Sequence, residues 1–228
     1  MGFPGLPGRL AQVRETIAAC QDRTGWTHPV SIVAVTKTHG PDAVRALVAA
    51  GLTMVGENRV QEALGKQETL LDCPVEWHLI GSLQRKKARQ VVGRFALIHS
   101  VDRIELAREL HKRAAPGTRQ SVLVQVNCSD EEHKGGVLPA DLAALLEAMA
   151  PLDRLDVRGL MTMAALTPDE RVQRRAFARL RGLRDESTAA GFDVPELSMG
   201  MSGDYPIAVE EGATMLRLGT VLLGERHQ

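Results

Sequence analysis

The chain has 228 residues, enough to bury the core of one domain of ordinary size. Its 28 basic and 28 acidic residues cancel, so no overall charge attracts it to nucleic acid or to an anionic membrane. No stretch approaches the roughly 18 apolar residues of a membrane span, and we expect no membrane contact. Three widely separated cysteines, without a metal-ligand spacing, indicate reduced thiols and a cytoplasmic protein.

Short apolar runs alternate with segments of helical periodicity along the chain. The first such segment, Leu6 to Asp22, predicts an amphipathic helix ahead of the first strand. Eight strands are then predicted: Val30 to Lys37, Thr53 to Gly56, Glu76 to Gly81, Ala96 to Val101, Gln120 to Asn127, Asp156 to Met163, Glu196 to Met199 and Met215 to Thr220. The helices predicted between them include Pro41 to Ala50, Arg59 to Leu71, Arg103 to Ala115, Pro139 to Met149 and Pro168 to Ala190.

Alternating strands and helices require right-handed parallel crossovers, and eight such units close into a barrel. The sequence therefore predicts an α/β fold, a single (β/α)8 TIM barrel with an additional N-terminal helix, in one domain over 1–228. A Rossmann-type open sheet is the competing fold. That fold needs a glycine-rich loop after its first strand, whereas the loop here reads Thr38-His39-Gly40-Pro41.

Lys37 ends the apolar run VSIVAVTK of the first predicted strand. In parallel α/β proteins, ligands collect at the C-terminal ends of the strands. The plain alternative for this lysine is a solvated charge that begins a loop. Lysine is also the residue that forms Schiff bases with carbonyl compounds, so Lys37 is a candidate for holding an aldehyde.

The segments LSMGMSGDY and MLRLGT place small and hydroxyl residues at the predicted ends of the seventh and eighth strands. Ser202 and Gly203 in one loop, and Gly219 and Thr220 in the other, can offer hydroxyl groups and open backbone to a phosphate. Turn glycines without a ligand are the alternative. Because the first and eighth strands of a closed barrel are neighbours, a phosphorylated aldehyde such as pyridoxal phosphate suits both Lys37 and these loops.

Seven motifs extend this pattern over nearly the whole chain: VAVTKT, GENRVQE, WHLIGSLQRKK, VNCSDEEHKGG, GLMTM, LSMGMSGDY and MLRLGTVLLGER. In this order they resemble the pyridoxal phosphate homeostasis protein family, single-domain relatives of the alanine racemase N-terminal barrel. The resemblance implies that pyridoxal 5′-phosphate is the cofactor and is held as a Schiff base on Lys37. It also implies that Ser202, Gly219 and Thr220 hold the phosphate and that Asn58 lies near the ring. The residues expected to line the pocket are Met161, Met163, Ser198 and Met199.

Arg217 is relevant to the chemistry of the site. Because side chains alternate along a strand, it faces the side opposite to the leucines beside it. The resemblance places it against the pyridine nitrogen, whereas an external salt bridge is the alternative. An arginine cannot accept a proton in a protein, so a ring nitrogen that faces it stays unprotonated. The ring is then a weaker electron sink.

Two functions remain open from the sequence. One is a protein that stores, buffers or delivers pyridoxal phosphate, with apo forms of enzymes that use it as candidate recipients. The other is an amino-acid racemase, which needs a second base opposite Lys37. The sole tyrosine, Tyr205, sits in the predicted phosphate loop and the chain ends nine residues after Gly219, so only His39, His78 or a partner could supply that base. We favour the first function and expect a monomer.

Two further sets of basic residues carry less weight. The run Arg85-Lys86-Lys87 with Arg89 is expected to be a solvated helix face, because no nucleic-acid reader motif accompanies it. Lys134 follows the fifth predicted strand and is either solvated or a transient second acceptor of the aldehyde during cofactor release.

Overall fold

The computed structural model describes residues 3–129, 131 and 134–224. Eight parallel strands form one closed barrel in which each strand pairs with the next and the last pairs with the first. The strands are β1 (Ser31–Val35), β2 (Met54–Glu57), β3 (Glu76–Leu79), β4 (Leu97–Val101), β5 (Gln120–Gln125), β6 (Leu155–Met161), β7 (Glu196–Met201) and β8 (Met215–Leu218). The predicted barrel is confirmed, and the open-sheet alternative is excluded.

Helices cover the outside of the barrel. They are α1 (Leu6–Thr24), α2 (Pro41–Ala49), α3 (Val60–Thr69), α4 (Ala88–Val91), α5 (Ile104–Arg113), α6 (Leu142–Met149), α7 (Glu170–Ala189), α8 (Tyr205–Glu210) and α9 (Thr220–Leu223), with 3-10 turns at Arg85–Lys87 and Pro139–Asp141. The additional N-terminal helix, α1, packs against α8 and α9. Because α8 and α9 have only six and four residues, α1 supplies much of the cover on that side.

Strand alternation divides the core into an inner and an outer layer. In β1, Val33 belongs to the cluster inside the barrel, whereas Ile32 and Ala34 pack against the helices. This separation follows from the period of two along a strand, since both faces of a parallel barrel are covered. The inner cluster consists of Val33, Leu97, Leu123, Met161 and Met215, with Met54, Ile80 and Met163 packed against it.

Five strands end earlier than the sequence predicted. β1 ends at Val35, two residues before Lys37, because the chain turns at Thr38, whose φ is +67°. β3 likewise ends at Leu79, β5 at Gln125, β6 at Met161 and β8 at Leu218. The apolar character of a segment continues into the turn that follows it, so composition overestimates the strand. No helix in the described parts of the chain is long and apolar enough to cross a membrane.

Candidate functional site

Lys37 lies just beyond the C-terminal end of β1, on an exposed turn at the mouth of the barrel. Thr36 before it faces outward, because its hydroxyl donates to Glu57 Oε1 at 2.5 Å. Lys37 itself lies in the turn that follows and is exposed. Its ammonium group makes no side-chain hydrogen bond or ion pair within the described residues. Lys37 is thus an available amine at the ligand-binding end of the fold.

Lys134, the other lysine predicted near the mouth, is engaged. Its Nζ donates to Ala164 O at 2.8 Å and pairs with Glu131 Oε2 at 2.5 Å. These contacts join the loop after β5 to the loop after β6. A second role for Lys134 would have to break them.

The loops after β7 and β8 come together as predicted. The backbone N–H groups of Gly219 and Val221 donate to Ser202 Oγ at 3.1 and 3.3 Å. The turn is shaped by Asp204, whose Oδ1 accepts the Met201 N–H at 2.6 Å. Gly203 and Thr220 are exposed on either side, and a Cβ added at Gly203 would meet open space. Converging N–H groups and a hydroxyl on two neighbouring loops can bind an anion.

Arg217 of β8 lies inside the barrel and is 4% exposed. Its Nη1 donates to Ser198 O at 2.8 Å and to Ser198 Oγ at 2.7 Å, and its Nη2 donates to Thr162 O at 2.9 Å. These bonds use three of the five guanidinium N–H groups. Burial lowers the pKa of Arg217 to about 10, so the group keeps its charge at neutral pH. The external salt-bridge alternative is therefore wrong.

A chain of hydrogen bonds continues from Ser198 across the interior of the barrel. Ser198 Oγ lies 3.0 Å from His99 Nδ1, and His99 Nε2 lies 3.0 Å from His78 Nδ1. His78 Nε2 then lies 3.3 Å from Glu76 Oε1, at the opposite end of the barrel from Lys37. Burial, with smaller contributions from the neighbouring His78 and Arg217, holds the pKa of His99 well below its ordinary value.

His99 did not stand out in the sequence. His78 was expected to be a buried, hydrogen-bonded histidine, and it is 1% exposed. His99 occupies the same inward face of β4 as Leu97, so alternation within LIHSV is the signal that could have paired the two histidines.

The residues expected to line the pocket separate into two layers. Met161 and Met163 belong to the inner cluster, and Ser198 contacts Arg217 inside the barrel. Met199 instead packs in the outer layer with the helices. Consecutive side chains of a strand point to opposite faces, so the side chain of Met199 cannot share a pocket with that of Ser198. The expectation for the Met199 side chain is therefore corrected to a packing role.

Asn58 is exposed and follows β2 at the same end of the barrel as Lys37. Its backbone lies against Gly81, where an added Cβ would lie 2.2 Å from Asn58 O. The absence of a side chain at Gly81 therefore allows the loops after β2 and β3 to touch.

The residues considered as a second base have other contacts. Tyr205 is 7% exposed and packs in the outer layer, at the start of α8. The ring of His39 meets the ring of Phe3 edge-on, with centroids 5.9 Å apart, and His78 belongs to the interior hydrogen-bond chain. Within the described residues, no group of three or more His, Cys, Asp or Glu side chains could hold a metal ion.

Residues 9–227 match the family model described as the alanine racemase N-terminal domain. A protein of Aquifex aeolicus named pyridoxal phosphate homeostasis protein is 43% identical over 221 residues, which are 96% of this chain and 97% of that one. A protein of the same name from Pseudomonas aeruginosa is 46% identical over 198 residues, 86% of this chain and 85% of its own.

Solved structures show the same similarity. The structure of PipY from Synechococcus elongatus PCC7942 with PLP bound superposes with a TM-score of 0.84 at 39% identity, covering 96% of this chain and all of that one. An alanine racemase of Clostridium difficile superposes with a TM-score of 0.76 at 15% identity, covering all of this chain and 57% of its own. That second likeness concerns the fold alone.

Proposed function

The chain belongs to the alanine racemase N-terminal domain family, among its pyridoxal phosphate homeostasis proteins, and we propose that it binds pyridoxal 5′-phosphate covalently through Lys37. In this role it stores, buffers or delivers the cofactor. The observation that carries the proposal is the position of Lys37, whose amine has no partner among the described residues and lies at the same mouth as the N–H groups around Ser202.

The residues present fit this cofactor. Ser202, with the N–H groups of Gly219 and Val221, would hold the phosphate, and Gly203 leaves room for it. Lys37 would supply a neutral amine that forms one C=N bond with the aldehyde carbon and releases one water. When bound, the cofactor supplies that aldehyde and a conjugated ring that can accept electrons.

Arg217 limits the chemistry at this site. Two guanidinium N–H groups remain after its bonds to Ser198 and Thr162, and they are available to a ring nitrogen inside the barrel. A donor that stays charged at neutral pH keeps such a nitrogen unprotonated. Arg217 therefore supports binding and weakens the case for amino-acid chemistry.

Racemisation is the alternative. It needs a second base opposite Lys37, and His39, His78 and Tyr205 are all held by other contacts. We therefore rank storage and delivery ahead of catalysis.

Visible absorbance of the purified chain with added pyridoxal phosphate tests covalent binding. We expect an absorbance band of the imine that Lys37→Ala abolishes and Lys134→Ala retains. A Lys37→Ala protein that keeps the band would contradict the assignment of Lys37. Deuterium incorporation at the α carbon of alanine, measured on the same samples, tests the alternative, and rapid incorporation would favour the racemase.

Delivery is tested by mixing the loaded chain with an apo form of a pyridoxal phosphate enzyme and following the recovery of its activity. We expect activity to recover faster when the two proteins are mixed than when a dialysis membrane separates them. The separated sample measures recovery by cofactor that is released spontaneously into the buffer. The proposal includes a monomer in the cytoplasm, a location supported by the three free cysteines. Light scattering during size-exclusion chromatography tests the monomer.

A further inference from the structure

Lys66 of α3 is a charged side chain that lies almost wholly inside the protein, with 6% of its surface exposed. Its Nζ reaches three acceptors: Glu57 Oε1 at 2.6 Å, Thr36 O at 2.8 Å and Glu62 Oε1 at 3.0 Å. An ammonium group has three N–H donors, so every donor has a partner. This buried charge is therefore fully satisfied, and one of its partners is the backbone of the residue before Lys37.

The same cluster also holds the residue after Lys37. The backbone N–H of Thr38 donates to Glu62 Oε1 at 2.6 Å, the oxygen that Lys66 also contacts. Lys66 thus fixes the carbonyl on one side of Lys37, and Glu62 fixes the amide on the other. Although burial alone would raise the pKa of Glu62, hydrogen bonds from Thr38 and Lys66 bring that pKa below its ordinary value.

The turn held in this way is strained. Thr38 has a φ of +67°, and no other non-glycine residue in the described chain has a positive φ. For a β-branched residue this conformation costs on the order of 1–2 kcal/mol, so it persists only where neighbouring contacts enforce it. The Thr38–Glu62 bond is such a contact.

Stability alone does not account for the cluster. A buried ion pair is weak evidence for stability, because desolvation offsets most of the attraction between its charges. Burial raises the pKa of Glu57 despite the hydrogen bonds from Lys66 and Thr36, and its Oε2 has no partner among the described residues. What the arrangement does provide is a fixed backbone on both sides of one exposed lysine.

We propose that Glu62 and Lys66 are positioning residues for Lys37, which hold the Thr36–Thr38 backbone so that the Lys37 amine points over the barrel interior. The inference rests on the proposed function, in which Lys37 forms the bond to pyridoxal phosphate. Neither residue touches the cofactor; both act through the turn.

The test uses Glu62 because its side chain is 24% exposed and its removal leaves the Lys66–Glu57 pair in place. Glu62→Ala deletes the acceptor of the Thr38 N–H, whereas Glu62→Gln keeps an amide oxygen at that place. Glu109→Ala is the matched control, since Glu109 pairs with Arg113 at the same i,i+4 spacing on α5, away from the turn.

Two quantities are measured on the full chain: hydrogen exchange of the Thr38 amide without cofactor, by NMR, and the rate of imine formation after pyridoxal phosphate is mixed in, by absorbance. In Glu62→Ala we expect amide exchange to become about tenfold faster and imine formation about tenfold slower. In Glu62→Gln, the amide exchange rate and the rate of imine formation should both stay close to those of the wild type. In Glu109→Ala, both rates should match the wild type. The melting temperature checks that each variant is folded.

Faster exchange without slower imine formation would overturn the inference, because the contacts of Glu62 would then stabilise the turn without affecting the reaction of Lys37. Unchanged exchange, or equal effects of Ala and Gln, would overturn it too. A failure of the proposed function looks different: the wild-type chain itself would form no imine at Lys37, while the exchange measurement would still report whether Glu62 holds the turn.

Discussion

Arg217 donates to Ser198 twice through one nitrogen, to the carbonyl oxygen at 2.8 Å and to the hydroxyl oxygen at 2.7 Å. Since a guanidinium group offers no acceptor, the Ser198 hydroxyl must turn its own hydrogen elsewhere. Its other neighbour is His99 Nδ1, 3.0 Å away. With the Ser198 hydroxyl donating to His99, the rest of the chain has one direction: His99 Nε2–H donates to His78 Nδ1, and His78 Nε2–H donates to Glu76 Oε1.

This direction predicts that His99 carries its hydrogen on Nε2. Nitrogen chemical shifts of ¹⁵N-labelled histidine in the folded protein distinguish the two tautomers. A hydrogen on Nδ1 of His99 would contradict the prediction, because the Ser198 hydroxyl would then have no acceptor in this chain of bonds.

The buried His99 also predicts that the protein loses stability in mild acid. The unfolded chain protonates this residue near its ordinary pKa, about 6.5, whereas the folded chain does not, because the pKa of His99 is well below that value in the folded state. Below about pH 6.5 the unfolded state therefore binds more protons, and the free energy of unfolding falls by up to about 1.4 kcal/mol per pH unit from this group.

Urea unfolding at several pH values measures this dependence. His99→Gln should flatten it, whereas His111→Gln, on α5, should leave it in place because His99 is intact. The groups around His99 are His78, Ser198 and the charged Arg217, which disfavours a second positive charge. An unchanged slope in His99→Gln would contradict the assignment.

Ser202 is predicted to act on the phosphate alone. Ser202→Ala removes the oxygen that accepts the Gly219 and Val221 N–H groups, and we expect affinity for pyridoxal phosphate to fall about tenfold. Absorbance titrations with pyridoxal, which lacks the phosphate, provide the control and should be unaffected. An equal loss for both ligands would show that the variant disturbs the mouth as a whole.

Gly81 is predicted to be intolerant of a side chain. Gly81→Ala brings a Cβ within 2.2 Å of Asn58 O, and we expect a loss of about 1–3 kcal/mol in the free energy of unfolding. Gly65→Ala is the control, because Gly65 lies in α3 with open space around it and should gain up to about 1 kcal/mol. Equal stabilities would show that the Asn58 loop moves freely.

The barrel and the location of its mouth were predictable because both depend on local periodicity. Alternation along one strand set Arg217 opposite its flanking leucines, the family resemblance favoured the inside, and glycines after two strands marked the loops around Ser202. Contacts between distant segments were not predictable. In the sequence, Lys66 looks like an ordinary helix lysine with Glu62 four residues before it. Only the folded barrel brings its Nζ within hydrogen-bond distance of Thr36 O.

Two assignments failed for different reasons. Met199 was assigned to the pocket beside Ser198 although strand geometry allows only one of two consecutive side chains to face inward. The strand β1 was extended to Lys37 because the strain at Thr38 depends on Glu62, which lies 24 residues further along the chain. The first assignment overlooked a local rule, whereas the second depended on a contact that is not local.

In the proposed function, Lys37 forms the covalent bond to pyridoxal phosphate. The most direct measurement is reduction of the loaded wild-type chain with borohydride, followed by digestion and mass spectrometry of the peptides. We predict one cofactor per chain, on the peptide that contains Lys37 and on no other. Modification of Lys134 or another lysine in place of Lys37, or no modification at all, would contradict the account.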